Sequence, residues 1–190
     1  MKKVIIVVFF VLLSVSSYAY EEQQRVNINI DKINWHTVIY DVINYYPANN
    51  VKPTDLEKFT HYYGDILIHL IAEIESDLKF TAGKINPKDI SYFQIHTGTW
   101  SYSELSRLSG IKIMNQTDIK TYDAILAAHI WLYQVCLFRN AQGRFPRSIF
   151  EVLGVYHRPF TGGTLQYQQR IKIILARNNL TPEMFNFNRY

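Results

Sequence analysis

A chain of 190 residues with 20 basic and 16 acidic side chains, net charge +4, is long enough for one domain with a real core. Its charge is too scattered to point to a polyanion, and its single cysteine, Cys136, excludes an intrachain disulfide framework. No basic run, no GxxxxGK(S/T) and no GxGxxG is present, so neither nucleic acid nor nucleotide is suggested.

In chain order, Lys2 and Lys3 precede the apolar run Val4 to Leu13, and Ser17-Tyr18-Ala19 offers small residues before a cut. This pattern predicts a secretory signal peptide over 1–19, cleaved after Ala19, and hence a periplasmic protein. The run is shorter than the ~20 residues a spanning helix needs. Alternation in "NINI" at 27–30 reads as an unpaired arm. Within the segment 20–52, Trp35, Val38, Ile39, Val42, Ile43 and Tyr46 recur at helical spacing, and Pro47 stops them. Partner docking is one use for this extension.

Thr54, with Glu57 three positions on, reads as a capping box opening a helix that ends near Tyr63, with Gly64 as its C′ residue. Asp65 then caps a further helix, Ile66 to Ser76. Turn formers Gly83 and Asn86-Pro87 follow, then a short apolar piece. Asp118 to Phe138 predicts a long apolar helix, with Cys136 as a buried small hydrophobe inside it. A loop at Asn140–Pro146, helices over Ser148–Tyr156 and Leu165–Ala176, and a last turn at Thr181-Pro182-Glu183 in the tail 179–190 complete the chain. Strand signals are weak, so the class is all-α or mainly α.

The stretch "LIAEIESDLKF" (70–80) sets two carboxylates in hydrocarbon. On a helix Glu73 and Glu75 stand about 200° apart and cannot share a face. Glu73 falls away from the stripe formed by Ile66, Leu67, Leu70, Ile71 and Ile74, and is expected in solvent. Glu75 lies at the stripe's edge, at the helix C-terminus. There the negative end of the helix dipole and the adjoining hydrocarbon both disfavour a charged carboxylate, which suits a general acid. The bland alternative is a helix-end glutamate pointing to water.

"IESDLKFTAGKINPKDISYFQIHTGTW" resembles the lytic transglycosylase pattern. In that family a helix ends in Glu-Ser and a Gly-Leu-Met-Gln-Ile-like segment follows, here Ser91-Tyr92-Phe93-Gln94-Ile95. "AILAAHIWL" (124–132) is similar to the family's Asn-Ile-x-x-Gly-x-x-x-Leu helix, "VYHRP" (155–159) to its Ala-Tyr-Asn-x-Gly, and "YQQRI" (167–171) to its closing Tyr-x-x-x-Val helix. The pieces run in order from Leu56 to Ile174.

The resemblance implies a lysozyme-like single domain over 53–178 with a catalytic glutamate at the end of a core helix. It implies cleavage of the β-1,4 bond between N-acetylmuramic acid and N-acetylglucosamine, with closure of a 1,6-anhydro ring. Glu75 would be acid and then base, and Tyr156 would orient it or steady developing charge. Ser76, Tyr92, Phe93, Gln94 and Ile95 would shape and line the sugar groove, with Trp100 nearby. The partners implied are peptidoglycan glycan strands, with service to a secretion, conjugation or pilus system as a family-level expectation.

The match has departures. Ser91 replaces a glycine, Tyr92 and Phe93 are bulky, His157 and Arg158 replace Asn and its successor, and Phe160 stands where glycine is common. No cofactor or metal is expected. His36, His61, His69, His96, His129 and His157 form no HExxH, and His69 and His129 read as core histidines. Asp89 is the nearest candidate for a second carboxyl, although a loop or cap role suits it. Two rivals stay open: a lysozyme-like hydrolase, and a wall-binding component that does not cut.

Overall fold

The computed structural model describes residues 33–46, 50–83, 86–158 and 163–189. The signal-peptide segment, the "NINI" arm, Pro47 and Phe160 lie outside them. Among the described residues six α-helices carry the fold: α1 (Trp35–Tyr45), α2 (Pro53–Ser76), α3 (Tyr102–Ser109), α4 (Gln116–Gln142), α5 (Ile149–His157) and α6 (Leu165–Arg177). A small hairpin, β1 (Asp89–Ile90) and β2 (Ile95–His96), sits between α2 and α3, and two 3-10 turns follow α6. The mainly helical class expected from the sequence holds. No described helix is long and apolar enough to cross a membrane.

Helix α4 is the axis. Over its 27 residues it touches α1, α2, α3 and α5. Ile119, Leu126, Ala127, Trp131, Leu132, Val135 and Cys136 are buried along it, so burial runs round the helix. Asn115 and Asp118 close its N-terminus as a reciprocal capping box. The helix passes through the expected loop start at Asn140 and stops where Gly143 takes φ 66°.

Two expected boundaries fail for one reason. Helix α2 is continuous over 24 residues, so Gly64 is no C-cap and Asp65 no N-cap. A Cβ on Gly64 would lie 2.9 Å from Cζ2 of Trp35. The glycine is there to admit the indole of α1, whose Nε1 donates to Asp65 Oδ1 at 3.0 Å. Trp35 also meets Trp131 edge-on, centroids 5.9 Å apart. Thr54 makes no capping box; the helix opens on Pro53, with Lys52 as an N-cap residue without a side-chain bond. Helix α1 buries Val38, Ile39 and Val42, so this described part of the expected extension belongs to the core.

The tail is likewise fastened. Phe185 and Phe187 are buried, and Phe187 lies 5.5 Å from Phe59 and 4.9 Å from Tyr63, ring to ring. The Tyr63 hydroxyl donates to the Asn186 carbonyl and accepts from its N–H, both at 3.0 Å.

Candidate active site

Helix α2 ends in a sharp reversal. Asp77 and Leu78 both take left-handed backbone, φ 53° and 59°, and their N–H groups close onto the carbonyls of Glu73 and Ala72. Without glycine this conformation is costly, so the surrounding packing holds it. The reversal leaves Glu75 at the head of an open groove of ≈ 880 Å³.

The Glu75 side chain is 13% exposed. Its Oε1 accepts the Tyr167 hydroxyl at 2.7 Å and faces Nδ1 of His157 at 3.8 Å. The rings of His157 and Tyr167 stack, centroids 4.0 Å apart and planes 12° from parallel. Burial, and then the charge of Glu75, push the Tyr167 phenol well above its ordinary range, so it stays a donor.

Glu73 is not in solvent as expected. It is buried at 6% exposure, with Oε1 on Arg177 Nη1 at 3.0 Å and Oε2 on Asn178 Nδ2 at 2.7 Å. Both partners come from the end of α6, more than a hundred positions away, and no spacing on α2 reveals them.

The Ser91–Gln94 turn joins β1 to β2, whose register pairs Asp89 with His96 and Ile90 with Ile95. Strands of two residues are too short to show alternation, which is why the sequence hid them. Ser91 and Gln94 take φ 79° and 49°. The turn is held from below. Ser76 Oγ donates to the Tyr92 carbonyl at 2.8 Å, and the Tyr156 hydroxyl donates to the Phe93 carbonyl at 2.8 Å. Asp123 of α4 accepts the Tyr92 N–H at 3.2 Å. Burial lifts Asp123 to about 7, against the pull of Ser91 and the Tyr92 N–H. Asp123 was not foreseen; its only signal is a carboxylate inside an apolar helical run.

Of the expected site residues, Glu75, Ser76, Gln94, Ile95 and Tyr156 border the groove. Tyr92 and Phe93, expected at the sugar, are buried core residues; Tyr92 packs edge-on against Phe80 at 5.4 Å. The Tyr156 hydroxyl bonds the turn and not Glu75. The tyrosine on Glu75 is Tyr167, the first residue of "YQQRI". Both amide hydrogens of Gln94 go to backbone, Thr81 O at 3.1 Å and Ser91 O at 2.9 Å, leaving Oε1 as its offer to a ligand.

Comparison of the chain with protein-family models, curated proteins and solved structures gave no match.

The groove is also lined by Asp89 and His96, joined Oδ1 to Nδ1 at 2.6 Å, and by Trp100. Asp89 is thus neither an idle loop residue nor a free second acid. Among the described residues no group of three or more His, Cys, Asp or Glu is placed to hold a metal ion. His129 is buried, with Nδ1 on the Ile125 carbonyl at 2.8 Å, while His69 is only half-buried. A groove lined by Glu75 together with Asp89, His96 and His157 presents carboxyls and imidazoles to a polar ligand, and can do acid–base chemistry on it.

Proposed function

We propose that the chain is a peptidoglycan lytic transglycosylase acting in the periplasm. The observation that carries this reading is Glu75. It is a nearly buried carboxyl at the end of a core helix, opening on a groove and holding a phenolic hydrogen bond at 2.7 Å. As acid it protonates the glycosidic oxygen between N-acetylmuramic acid and N-acetylglucosamine. As base it then takes the proton of the muramic C6 hydroxyl, whose oxygen closes on C1. Such a reaction needs one carboxyl, where ordinary glycosidases use two. Gln94 Oε1 and the Trp100 ring suit a sugar, the one as acceptor and the other as a flat platform.

Asp89, which lines the same groove, favours a second reading. A general base there, acting on water, makes the chain a lysozyme-like hydrolase. Mass spectrometry of soluble products from purified peptidoglycan, with the wild type and Glu75→Gln, tests both. Anhydro-muropeptides absent with the variant support the transglycosylase. Hydrated ends move the assignment to the hydrolase. No products from folded wild type that still sediments with the wall make it a binding component.

A further inference from the structure

We infer that His96 is a ligand-binding residue of the groove. Its Nε2 and Gln94 Oε1 form a subsite that accepts hydrogen bonds from the hydroxyl and amide N–H groups of a glycan strand; this rests on the glycan-cleaving reading above. The geometry that carries it starts in the hairpin. Antiparallel pairing sets Asp89 directly opposite His96. Asp89 Oδ1 meets His96 Nδ1 at 2.6 Å. A carboxylate has only lone pairs to offer, so the hydrogen of this bond belongs to Nδ1. A neutral imidazole has one N–H, and with Nδ1 carrying it Nε2 is a bare acceptor.

Gly98 keeps that nitrogen uncovered. A Cβ there would lie 2.7 Å from Nε2, and Asp89 holds the ring from moving aside. Gly98 does not take positive φ, so space and not backbone conformation calls for the glycine. Among the described residues Nε2 has no hydrogen-bond partner. The ring is partly exposed and lines the groove together with Gln94, two positions before it.

The neighbouring polar side chains of the groove spend their hydrogens inside the protein. Both amide hydrogens of Gln94 go to the carbonyls of Thr81 and Ser91. The Thr81 hydroxyl donates to the Ala82 carbonyl at 3.0 Å. Asn86 turns Nδ2 toward the Asp89–His96 pair, 3.5 Å from Asp89 Oδ1 and 3.1 Å from His96 Nδ1, while its Oδ1 takes the Lys88 N–H at 3.1 Å. What these side chains keep for a ligand is lone pairs. Such a stretch takes a donor and turns away an acceptor, because two facing acceptors both lose water and gain no bond. The Asp89 carboxylate adds a like charge against any anion. Sugar hydroxyls and the amide N–H of an N-acetylated unit fit this stretch; the carboxylates of a stem peptide do not.

Two measurements test it. The first needs no activity. The ring nitrogens of His96, identified by their absence in His96→Phe, are followed by NMR in the 15N-labelled wild type, at a pH where the signals show a neutral ring. The hydrogen is expected on Nδ1, and the Nε2 signal is expected to move as a tetramer of N-acetylglucosamine is added. Binding of the tetramer is expected to weaken roughly fivefold in His96→Phe, the worth of one neutral hydrogen bond. A ring that carries its hydrogen on Nε2, a Nε2 signal that ignores millimolar tetramer, or a response to free stem peptide in place of the sugar overturns the inference. The second measurement is the rate of product release against peptidoglycan concentration for the wild type and Gly98→Ala, with a thermal melt to show that the variant folds. The added methyl caps Nε2, so the amount of wall needed for half-maximal rate is expected to rise roughly fivefold while the maximal rate holds. An unchanged half-maximal concentration in a folded variant overturns the subsite. A wild type that releases no product while the tetramer engages Nε2 overturns the glycan-cleaving reading and leaves the sugar subsite standing.

Discussion

Glu73 and Glu75 leave the same last turn of α2 and meet opposite surroundings. Glu73 is closed in by a guanidinium and an amide from the end of α6, both within 3.0 Å. Glu75 meets a phenol and an imidazole and opens on a groove. The first carboxylate has two strong donors and no free face, so it ties α2 to α6. The second has a weak acid for a partner, a titratable ring beside it and room for a ligand. The identity of the partners, more than the degree of burial, separates a clamp from a carboxyl open to a ligand.

The sharpest way to break the comparison is to neutralise each carboxyl in turn. Glu75→Gln keeps an acceptor for Tyr167 but has no proton to give. Glycan release is expected to fall by at least about 10²-fold, the usual worth of a positioned general acid. The melting temperature is expected to move little, and muropeptide mass spectrometry beside a thermal melt reads both.

Asp123 supplies a third case, a buried carboxyl with no cationic partner. Burial raises it to about 7 in the fold, from an ordinary 3.8. Its sign follows. The folded chain holds a proton that the unfolded chain releases, so this contribution is full below about pH 4 and lost as pH rises to about 7. Chemical denaturation at pH 4 and pH 8 checks it. The stability of the wild type relative to Asp123→Asn is expected to fall by roughly 4 kcal/mol between the two. A difference that does not change with pH means that Asp123 is not the group that titrates.

How much of this was legible depends on sequence separation. The core helices showed in their own periodicity, and Ser148 and the apolar run of α4 marked an end and the axis correctly or nearly so. Glu75 was legible because its position at the end of an apolar stripe is a local fact. What failed was set by distant partners. Gly64 read as a stop because the Trp35 indole above it comes from another helix. Glu73 read as solvated because Arg177 and Asn178 lie at the far end of the chain. Tyr92 and Phe93 read as groove residues because the turn carrying them is anchored through its carbonyls and amide, by Ser76, Tyr156 and Asp123. That anchoring turns their side chains into the core, and backbone bonding of that kind leaves no pattern in side-chain types.

The clamp itself is tested by Glu73→Gln. Two donors lose a charged acceptor in a closed site, for an expected cost of about 1–3 kcal/mol. The half-exposed Arg177 keeps water as a fallback, which places the result at the lower end. Urea denaturation measures it, and glycan release per folded molecule is expected to hold. A variant that melts normally but has lost activity means that the clamp reaches the site through the helix end.

The smallest effect separates the two tyrosines. Tyr167→Phe removes the donor on Glu75, and Tyr156→Phe removes the donor on the Phe93 carbonyl. Both hydroxyls are buried hydrogen-bond donors, and the loss of either is expected to cost about 1 kcal/mol of stability. Activity divides them. Without Tyr167 the carboxyl loses the contact that fixes its rotamer, and release is expected to fall about tenfold at saturating substrate. Without Tyr156 the turn loosens while Glu75 keeps its partner, so the change is expected in the amount of wall needed for half-maximal rate. Rates measured against peptidoglycan concentration for both variants make the distinction. Equal effects on the two parameters would mean that the tyrosines act together as packing, and that the phenol on Glu75 has no part in the chemistry.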